Sequence, residues 1–448
     1  MVARLFGTDG VRGLANRDLT AELAVDLSVA AAHVLGETGA FEGHRPTAVV
    51  GRDSRASGEF LEAAVVAGLA SAGVDVARVG VLPTPAVAHL TAARGADLGV
   101  MLSASHNPMP DNGIKFFARG GHKLADAIED AVESRIGEPW ERPTGSGVGR
   151  VNDDREGAND YVAFLVATLK GQSLDGARVV VDCANGAASS VAVEVFERSG
   201  AHVTPIHHTP DGWNINDACG STHMQSLRDA VVAHEADLGV ALDGDADRCL
   251  AVDAQGQLID GDQILAILTL AMRDAGRLAH DSVVSTVMSN LGFRQAMQRE
   301  GVAVVATAVG DRYVLEAMKS FGYTLGGEQS GHLIMSEFAT TGDGLLTALH
   351  LSAQVAQSGR TLAELASVMH RFPQVLVNVP DVDKLRVDAP AIAAAVAEEE
   401  RILGDDGRVL LRSSGTEPLV RVMVEADTAD RAQQVAERLA AVVRETIG

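Results

Sequence analysis

The sequence predicts an α/β protein: three similar α/β domains followed by a smaller C-terminal α+β domain. Three observations carry this. Apolar, strand-like runs alternate with helix-like stretches up to about Arg371, and strand–helix–strand alternation implies parallel pairing with right-handed crossovers. The alternation restarts near Val179 and again near Asp262, sharing a plan without residue-level self-similarity. Beyond Arg371 the pattern changes to a few longer elements. The 448 residues suit about three or four domains of ordinary size. Linkers are expected near Asp153–Ala158, Ala254–Gly256 and Phe372–Pro373, dividing the chain into residues 1–155, 156–254, 255–371 and 372–448.

In chain order, Thr20 is an N-cap candidate for a helix running to about Leu35. Ala48–Val50 reads as a strand ending in Gly51-Arg52-Asp53-Ser54-Arg55. A helix Gly58–Ala72 follows, then strands at Asp75–Val81 and Leu98–Leu102. The last is apolar throughout, as buried strands are. It delivers Ser103-Ala104-Ser105-His106-Asn107-Pro108 to a turn, and Asp111-Asn112-Gly113 adds a turn signal. In the second unit, Val179–Asp182 turns through Ala184–Ala187 into a helix ending near Ser199. Ala201–Ile206, a helix Ser226–His234 and a strand Asp237–Leu242 complete it. The third unit has a long apolar helix from Asp262, strands Ser282–Val287 and Ala303–Ala308 around a helix after Asn290, a helix Asp311–Ser320 and the run Tyr323–Gly326. The last domain opens with Val375–Val379. Helices are expected at Ala389–Leu403 and Ala429–Thr446, with strands flanking Arg412.

Hydrophobic residues make up 46% of the chain and aromatics only 4%, so Ala, Val and Leu must fill the core. Lys and Arg number 37 against 60 Asp and Glu, a net charge of -23. Such a surface argues against nucleic acid and anionic membranes as partners. An anionic substrate would need a local island of Arg and Lys. Cys183, Cys219 and Cys249 are widely spaced and in no metal pattern, which suits a reducing cytoplasm. No run is long enough to span a bilayer.

Ligands of open α/β sheets bind at the carboxyl ends of strands, so Ser105 is expected on a loop facing a cleft. Asp243-Gly244-Asp245-Ala246-Asp247-Arg248 follows the strand end at Leu242. A turn through Gly244 converges alternate carboxylates on one point, a hard oxygen set for Mg²⁺ or Ca²⁺. A helix–loop–helix calcium site would need a glutamate where Ala254 stands. Arg248 beside the cluster can meet an anion. Gly326-Gly327-Glu328-Gln329-Ser330-Gly331-His332 mixes the donors and acceptors that read sugar hydroxyls, and Asp343 reads as the cap of the next helix. Arg412-Ser413-Ser414-Gly415-Thr416-Glu417-Pro418, with Arg421 beyond, is an anion nest, since guanidinium binds phosphate bidentately. Lys115 sits in the run Gly113–Phe117, whose apolar residues would pin its amine near the cleft. Arg12 stands among the glycines of Phe6–Gly13. Arg12, Lys115, Arg248, Arg412 and Arg421 are the expected basic island.

In order and spacing, and nearly end to end, these stretches resemble those of the α-D-phosphohexomutase superfamily. The resemblance implies four domains, the first three with mixed sheets, around a central cleft. It implies that Ser105 is the phosphoserine, and that Asp243, Asp245 and Asp247 hold one Mg²⁺ per subunit together with a phosphate oxygen of that serine. Glu328, Gln329 and Ser330 would read the sugar. Arg412, Ser414, Gly415, Thr416 and Arg421 would grip the non-reacting phosphate. Arg12, Lys115, Arg248 and His332 would line the reacting end with His106 beside Ser105, and either Lys115 or His332 would handle the hydroxyl proton. Phe6–Gly13, Ser103–Pro108 and Gln329 point to the branch that interconverts glucosamine 6-phosphate and glucosamine 1-phosphate, on the route to UDP-N-acetylglucosamine and peptidoglycan. Glucosamine 1,6-bisphosphate is then the intermediate, with it or glucose 1,6-bisphosphate as activator. The alternative within the superfamily is a phosphomannomutase/phosphoglucomutase. A metal-dependent phosphatase would need no grip on a far phosphate, and a sugar-phosphate sensor would need neither Ser105 nor the metal loop. Ser413 stands where the family often has proline, which loosens the turn and leaves the phosphate contacts. The implied partner is a phosphosugar, not nucleic acid or membrane. The resemblance leaves room for a homodimer, and for charging of Ser105 by a kinase or by autophosphorylation.

Overall fold

The computed structural model describes residues 4–7, 9–414 and 419–448. It forms two compact units, one of residues 1–288 and 303–367, the other of 289–302 and 368–448. Among the described residues, no helix is long and apolar enough to cross a membrane.

The first unit holds three sheets. In the first, Thr47–Arg52 pairs in parallel with Asp75–Val81 and with Leu98–Leu102. Asp111–Ala118 then returns antiparallel beside Leu98–Leu102 and carries Gly10–Leu14 on its other side. The sheet is therefore mixed, where alternation alone implied parallel pairing. Asp111-Asn112-Gly113 is strand, not turn, because its backbone pairs with Arg12–Leu14 across the sheet; tertiary pairing overrides turn propensity. Small side chains fill the core as composition required: Ala30, Ala31, Val65 and Leu69 of helices Ala21–Glu37 and Ser57–Ser71 share one cluster with Val50, Val100 and Ile114.

A helix absent from the expectation, Thr84–Ala93, lies between strands Asp75–Val81 and Leu98–Leu102. Pro85 sits in its first turn, where the missing N–H costs nothing. Helices Asp126–Ser134 and Gly157–Thr168 were likewise not anticipated. The second occupies part of the stretch read as a linker.

The second sheet runs His202–Ile206, Arg178–Asp182, Leu238–Leu242, Cys249–Asp253 and Leu258–Ile259. Ala254–Gly256, read as a linker, lies between two paired strands of this sheet: the Gly256 N–H donates to Asp253 O at 2.9 Å. The third sheet runs Ala303–Thr307, Ser282–Thr286, Leu325–Gly327 and Leu333–Met335. Asp343 caps helix Gly344–Ser358, its Oδ1 accepting from Leu346 N at 2.9 Å.

The second unit is an antiparallel sheet, Gln374–Pro380, Leu419–Ala426 and Gly407–Ser413, with helices Pro390–Leu403 and Ala429–Ile447. Helix Leu291–Arg299, expected in the third α/β repeat, packs within this unit by contact. Its Leu291 N–H donates to Glu425 Oε2 at 2.9 Å, and Gln295 donates to Asp405 O at 2.7 Å.

Candidate functional site

Ser105 follows strand Leu98–Leu102, the acidic loop follows Leu238–Leu242, and Glu328 follows Leu325–Gly327. Each of the three sheets of the first unit thus offers a polar loop at a strand's carboxyl end, where α/β folds bind ligands.

The serine loop is held from beneath. Ser105 has φ +52°, a conformation non-glycine residues adopt only when their surroundings enforce it. The enforcing groups are buried. Ser105 N–H donates to Ser103 Oγ at 2.9 Å, and Ser103 Oγ donates to Asp53 Oδ2 at 2.5 Å. Asp53 pairs with the fully buried Arg55. Arg55 Nη2 donates to Ser105 O at 3.2 Å and to Asn107 O at 2.6 Å, and Asn216 Nδ2 donates to the same two carbonyls at 2.9 and 3.0 Å.

The acidic loop meets this serine. Ser105 Oγ donates to Asp243 Oδ2 at 2.5 Å and lies 3.2 Å from His106 Nδ1. Backbone bonds brace the loop from three directions: Ala187 N to Gly244 O at 2.8 Å, Thr84 N to Asp245 O at 3.0 Å, and Gly344 N to Ala246 O at 2.9 Å. Asp243, Asp245 and Asp247 are buried, and one carboxylate oxygen from each lies within 4.8 Å of the others. Burial, then Asp247 and Asp245, push the Asp243 carboxyl well above its ordinary range. Asp245 Oδ1 and Asp247 Oδ1 are buried with no hydrogen-bond partner. Orphaned carboxylate oxygens in an all-oxygen cluster fit a hard divalent cation.

Cations ring the cluster. Lys115 Nζ lies 2.7 Å from Asp245 Oδ2, 2.7 Å from Asp9 Oδ2 and 3.9 Å from Asp247 Oδ2. Burial disfavours its charge, but Asp245, Asp9 and Asp247 outweigh burial and hold the ammonium well above its ordinary range. Burial, then Arg248 and Arg12, push His106 down to about 4, so its imidazole is neutral at pH 7. His332 faces Asp247 and Asp311 at 3.6 Å each and accepts from Gly342 N at 3.1 Å. Against the burial penalty, Asp247 and Asp311 raise it.

A cavity of about 440 Å³ opens onto these groups. Its walls include Arg12, His106, Asp247, Arg248, Glu328 and His332. Glu328 Oε1 accepts from Gly310 N at 3.1 Å, Gln329 donates to Asp260 Oδ2 at 3.3 Å, and Ser330 Oγ is buried without a partner. In the second unit, Arg412 and Arg421 stand directly opposite one another on adjacent strands. Ser414 N–H donates to Leu419 O at 2.9 Å, while Gly415 and Thr416 lie outside the described residues.

Sequence reasoning missed Asp9, Asp53, Arg55, Thr84, Asn216, Lys123 and Asp311. Asp53 and Arg55 end a strand and share the positional signal that found Ser105. Lys123 has no local signal, because only folding brings it beside Asp9. A second cluster, Asp182, His207 and Cys219, braces two loops: both Asp182 oxygens accept backbone N–H groups, from Ala184 and Gly220.

Fold and site together define a phosphohexomutase: the chain belongs to the phosphoglucomutase/phosphomannomutase family. Models of that family's α/β/α domains I, II and III match residues 3–142, 159–256 and 260–372, and the model of its C-terminal domain matches 375–442. The chain accordingly has four domains. A relative named phosphoglucosamine mutase from Streptomyces griseus is 69% identical, with 100% of each chain covered. One of the same name from Acidothermus cellulolyticus is 69% identical over 99% of this chain and 96% of the relative. Among solved structures, a phosphoglucomutase/phosphomannomutase family protein from Burkholderia thailandensis matches with TM-score 0.83 at 24% identity, covering 100% of this chain and 99% of its own. Aspergillus fumigatus N-acetylphosphoglucosamine mutase in complex with GlcNAc-6P and magnesium matches with TM-score 0.69 at 20% identity, covering 98% and 95%. Likeness at these identities speaks to the fold alone.

Proposed function

We propose that this chain interconverts glucosamine 6-phosphate and glucosamine 1-phosphate through a phosphorylated Ser105. The observation that carries the reading is the Ser105 hydroxyl, 2.5 Å from Asp243 in a buried three-carboxylate cluster, beside a cavity walled by Arg12, Arg248, Glu328 and His332. Full-length relatives at 69% identity, named phosphoglucosamine mutase, support an amino sugar as the substrate.

Asp243, Asp245 and Asp247, with an oxygen of phospho-Ser105, are the groups that would hold a magnesium ion; when bound, such an ion withdraws charge from the phosphoryl group. Phosphoryl transfer has a loose transition state, so the chain's own contribution is positioning and charge. Glu328 and its neighbours Gln329 and Ser330 orient the sugar. A substrate hydroxyl oxygen attacks phosphorus, its bond to phosphorus forming as the Ser105 Oγ–P bond breaks, with Oγ keeping the bonding pair. His332, in the cavity wall, takes the hydroxyl proton. Lys115, held charged by two carboxylates, serves as a fixed cation rather than a base. The bisphosphate then turns end for end and returns its other phosphate to Oγ. Arg412 and Arg421, with Ser414, Gly415 and Thr416, grip the phosphate that is not being transferred.

Intact mass and peptide mapping of freshly purified protein should find a phosphoryl group on Ser105. Protein so charged should turn over glucosamine 1-phosphate faster than glucose or mannose 1-phosphate. Steady release of inorganic phosphate, or full turnover by Ser105→Ala, would overturn the reading. Preference for the glucose or mannose phosphates would move it to a sister activity.

A further inference from the structure

Three residues outside these roles, Asp9, Lys123 and Asp311, form a chain of buried charge beside the cavity. Asp9 touches three cations: Lys115 Nζ at 2.7 Å, Arg12 Nη2 at 2.5 Å and Lys123 Nζ at 2.6 Å. Lys123 also pairs with Asp311, whose Oδ2 stands 3.6 Å from His332 Nε2. Along Lys115, Asp9, Lys123 and Asp311 the sign of charge alternates, His332 stands at the end of the run, and no side chain of the five is more than 15% exposed. Burying ion pairs seldom adds net stability, because desolvation offsets the attraction. A run of four alternating buried charges calls for another reason.

Geometry supplies one. Lys115 is pulled from two sides, by Asp245 and by Asp9, at equal distance. Without Asp9 its ammonium would settle onto Asp245 and Asp247, the oxygens proposed to hold the cation. Asp311 and Asp247 stand at the same 3.6 Å from the two ring nitrogens of His332. The Gly342 N–H holds the ring from the Nε2 side at 3.1 Å, and Asp311 adds a negative charge on that side. Lys123 keeps two like-charged carboxylates in place between these ends. Its partners come from distant segments: Asp9 from the N-terminal turn, Asp311 from the first turn of helix Asp311–Phe321. The next residue fixes that helix start independently. Arg312 donates to Glu129 Oε2 at 3.0 Å and pairs with Asp126, and Arg4 donates to the same Glu129 oxygen at 3.3 Å.

Resting on the mutase reading above, we infer that Asp9, Lys123 and Asp311 are positioning residues that set the spacing between the Lys115 cation and the His332 proton acceptor. The test compares kcat, KM and thermal midpoint for wild type, Asp9→Asn, Lys123→Met, Lys123→Arg and Asp311→Asn, with glucosamine 6-phosphate as substrate. Asp9→Asn and Lys123→Met should lower kcat by about 100-fold, the cost of a small misplacement of reacting groups, with KM within about threefold of wild type. Lys123→Arg, which keeps the ion pairs, should recover kcat to within about fivefold. The Lys123→Met/Asp311→Asn double variant should be no slower than Lys123→Met alone, because both cut one chain. A purely structural role would lower the midpoint of every variant and leave kcat per folded enzyme unchanged, and that result overturns the inference. So does a loss confined to KM. Wild-type turnover checks the mutase reading separately: an inactive wild type sinks both, whereas an active wild type with unaffected variants sinks this inference alone.

Discussion

Lys115 and His106 show how environment assigns roles to residue types that sequence leaves open. His106 lies beside the serine, and Lys115 beside the acidic loop that the serine meets. Burial with Arg248 and Arg12 takes His106 down to about 4, while Asp245 and Asp9 overcome burial and keep Lys115 charged. The neutral imidazole is therefore expected to matter less than the cation. Initial rates with glucosamine 6-phosphate should fall by about 100-fold for Lys115→Met, in the range for removing one charge-stabilising group. His332→Asn should cost at least as much and His106→Asn much less. Near-full turnover by both Lys115→Ala and His332→Ala would remove the two from the mechanism. Ser105, Asp243, Asp245 and Asp247 were legible in the sequence because each sits at a strand's carboxyl end, where a short polar stretch has little structural reason to recur. Asp9 and Asp311 were not, since a single carboxylate near a glycine is indistinguishable from an ordinary turn until its partners are placed.

At the scale of an element, the acidic loop succeeds by close approach. A Cβ at Gly244 would lie 2.6 Å from Ser105 O, 2.8 Å from Ile215 Cδ1 and 2.9 Å from Asn216 Nδ2. The glycine anticipated as a turn former is also the spacer that lets the serine and carboxylate loops touch. Gly244→Ala should destabilise the protein by about 1–3 kcal/mol, as overpacking does, and should slow phosphoryl transfer from Ser105 more than it weakens substrate binding. Denaturant unfolding and single-turnover kinetics would check the two parts. An alanine variant with wild-type kinetics would show that the contact is slack. Gly342 has the same character, since a Cβ there would meet the His332 ring at 2.5 Å. Helix Thr84–Ala93 was not anticipated, and strand Asp111–Ala118 was misread because Asp-Asn-Gly looks like a turn. That turn signal is local, and it was overruled by the pairing of the segment with Arg12–Leu14.

For the whole molecule, the -23 net charge coexists with a site rich in Arg and Lys. Arg12, Lys115 and Arg248 collect beside Asp9, Asp245 and Asp247. Buried titratable groups away from the site then shape the acid limb of stability. His350 is buried, and its Nε2 lies 3.1 Å from Thr168 Oγ1. That hydroxyl already donates to Leu165 O, so the imidazole donates to it. Burial, then Arg277, push His350 down to about 4, against about 6.5 when unfolded. The unfolded chain therefore binds the extra proton between these values. The stability contributed by the neutral ring is present above about pH 6.5 and lost as pH falls toward 4. The advantage of wild type over His350→Gln should shrink by up to about 3 kcal/mol across that window, read from denaturant unfolding at several pH values. A constant difference would refute it.

By itself the sequence determined the class of fold, the apolar strands and the placing of the Ser105, Asp243–Asp247 and Glu328 loops at strand ends, because hydrophobic periodicity and strand-end chemistry are local properties. Only the tertiary structure decided which strand runs antiparallel, and that Asp9, Lys123 and Asp311 stand between Lys115 and His332. Those outcomes depend on pairing between segments far apart in the chain. Long-range electrostatic and backbone partners leave no trace in the spacing of neighbouring residues.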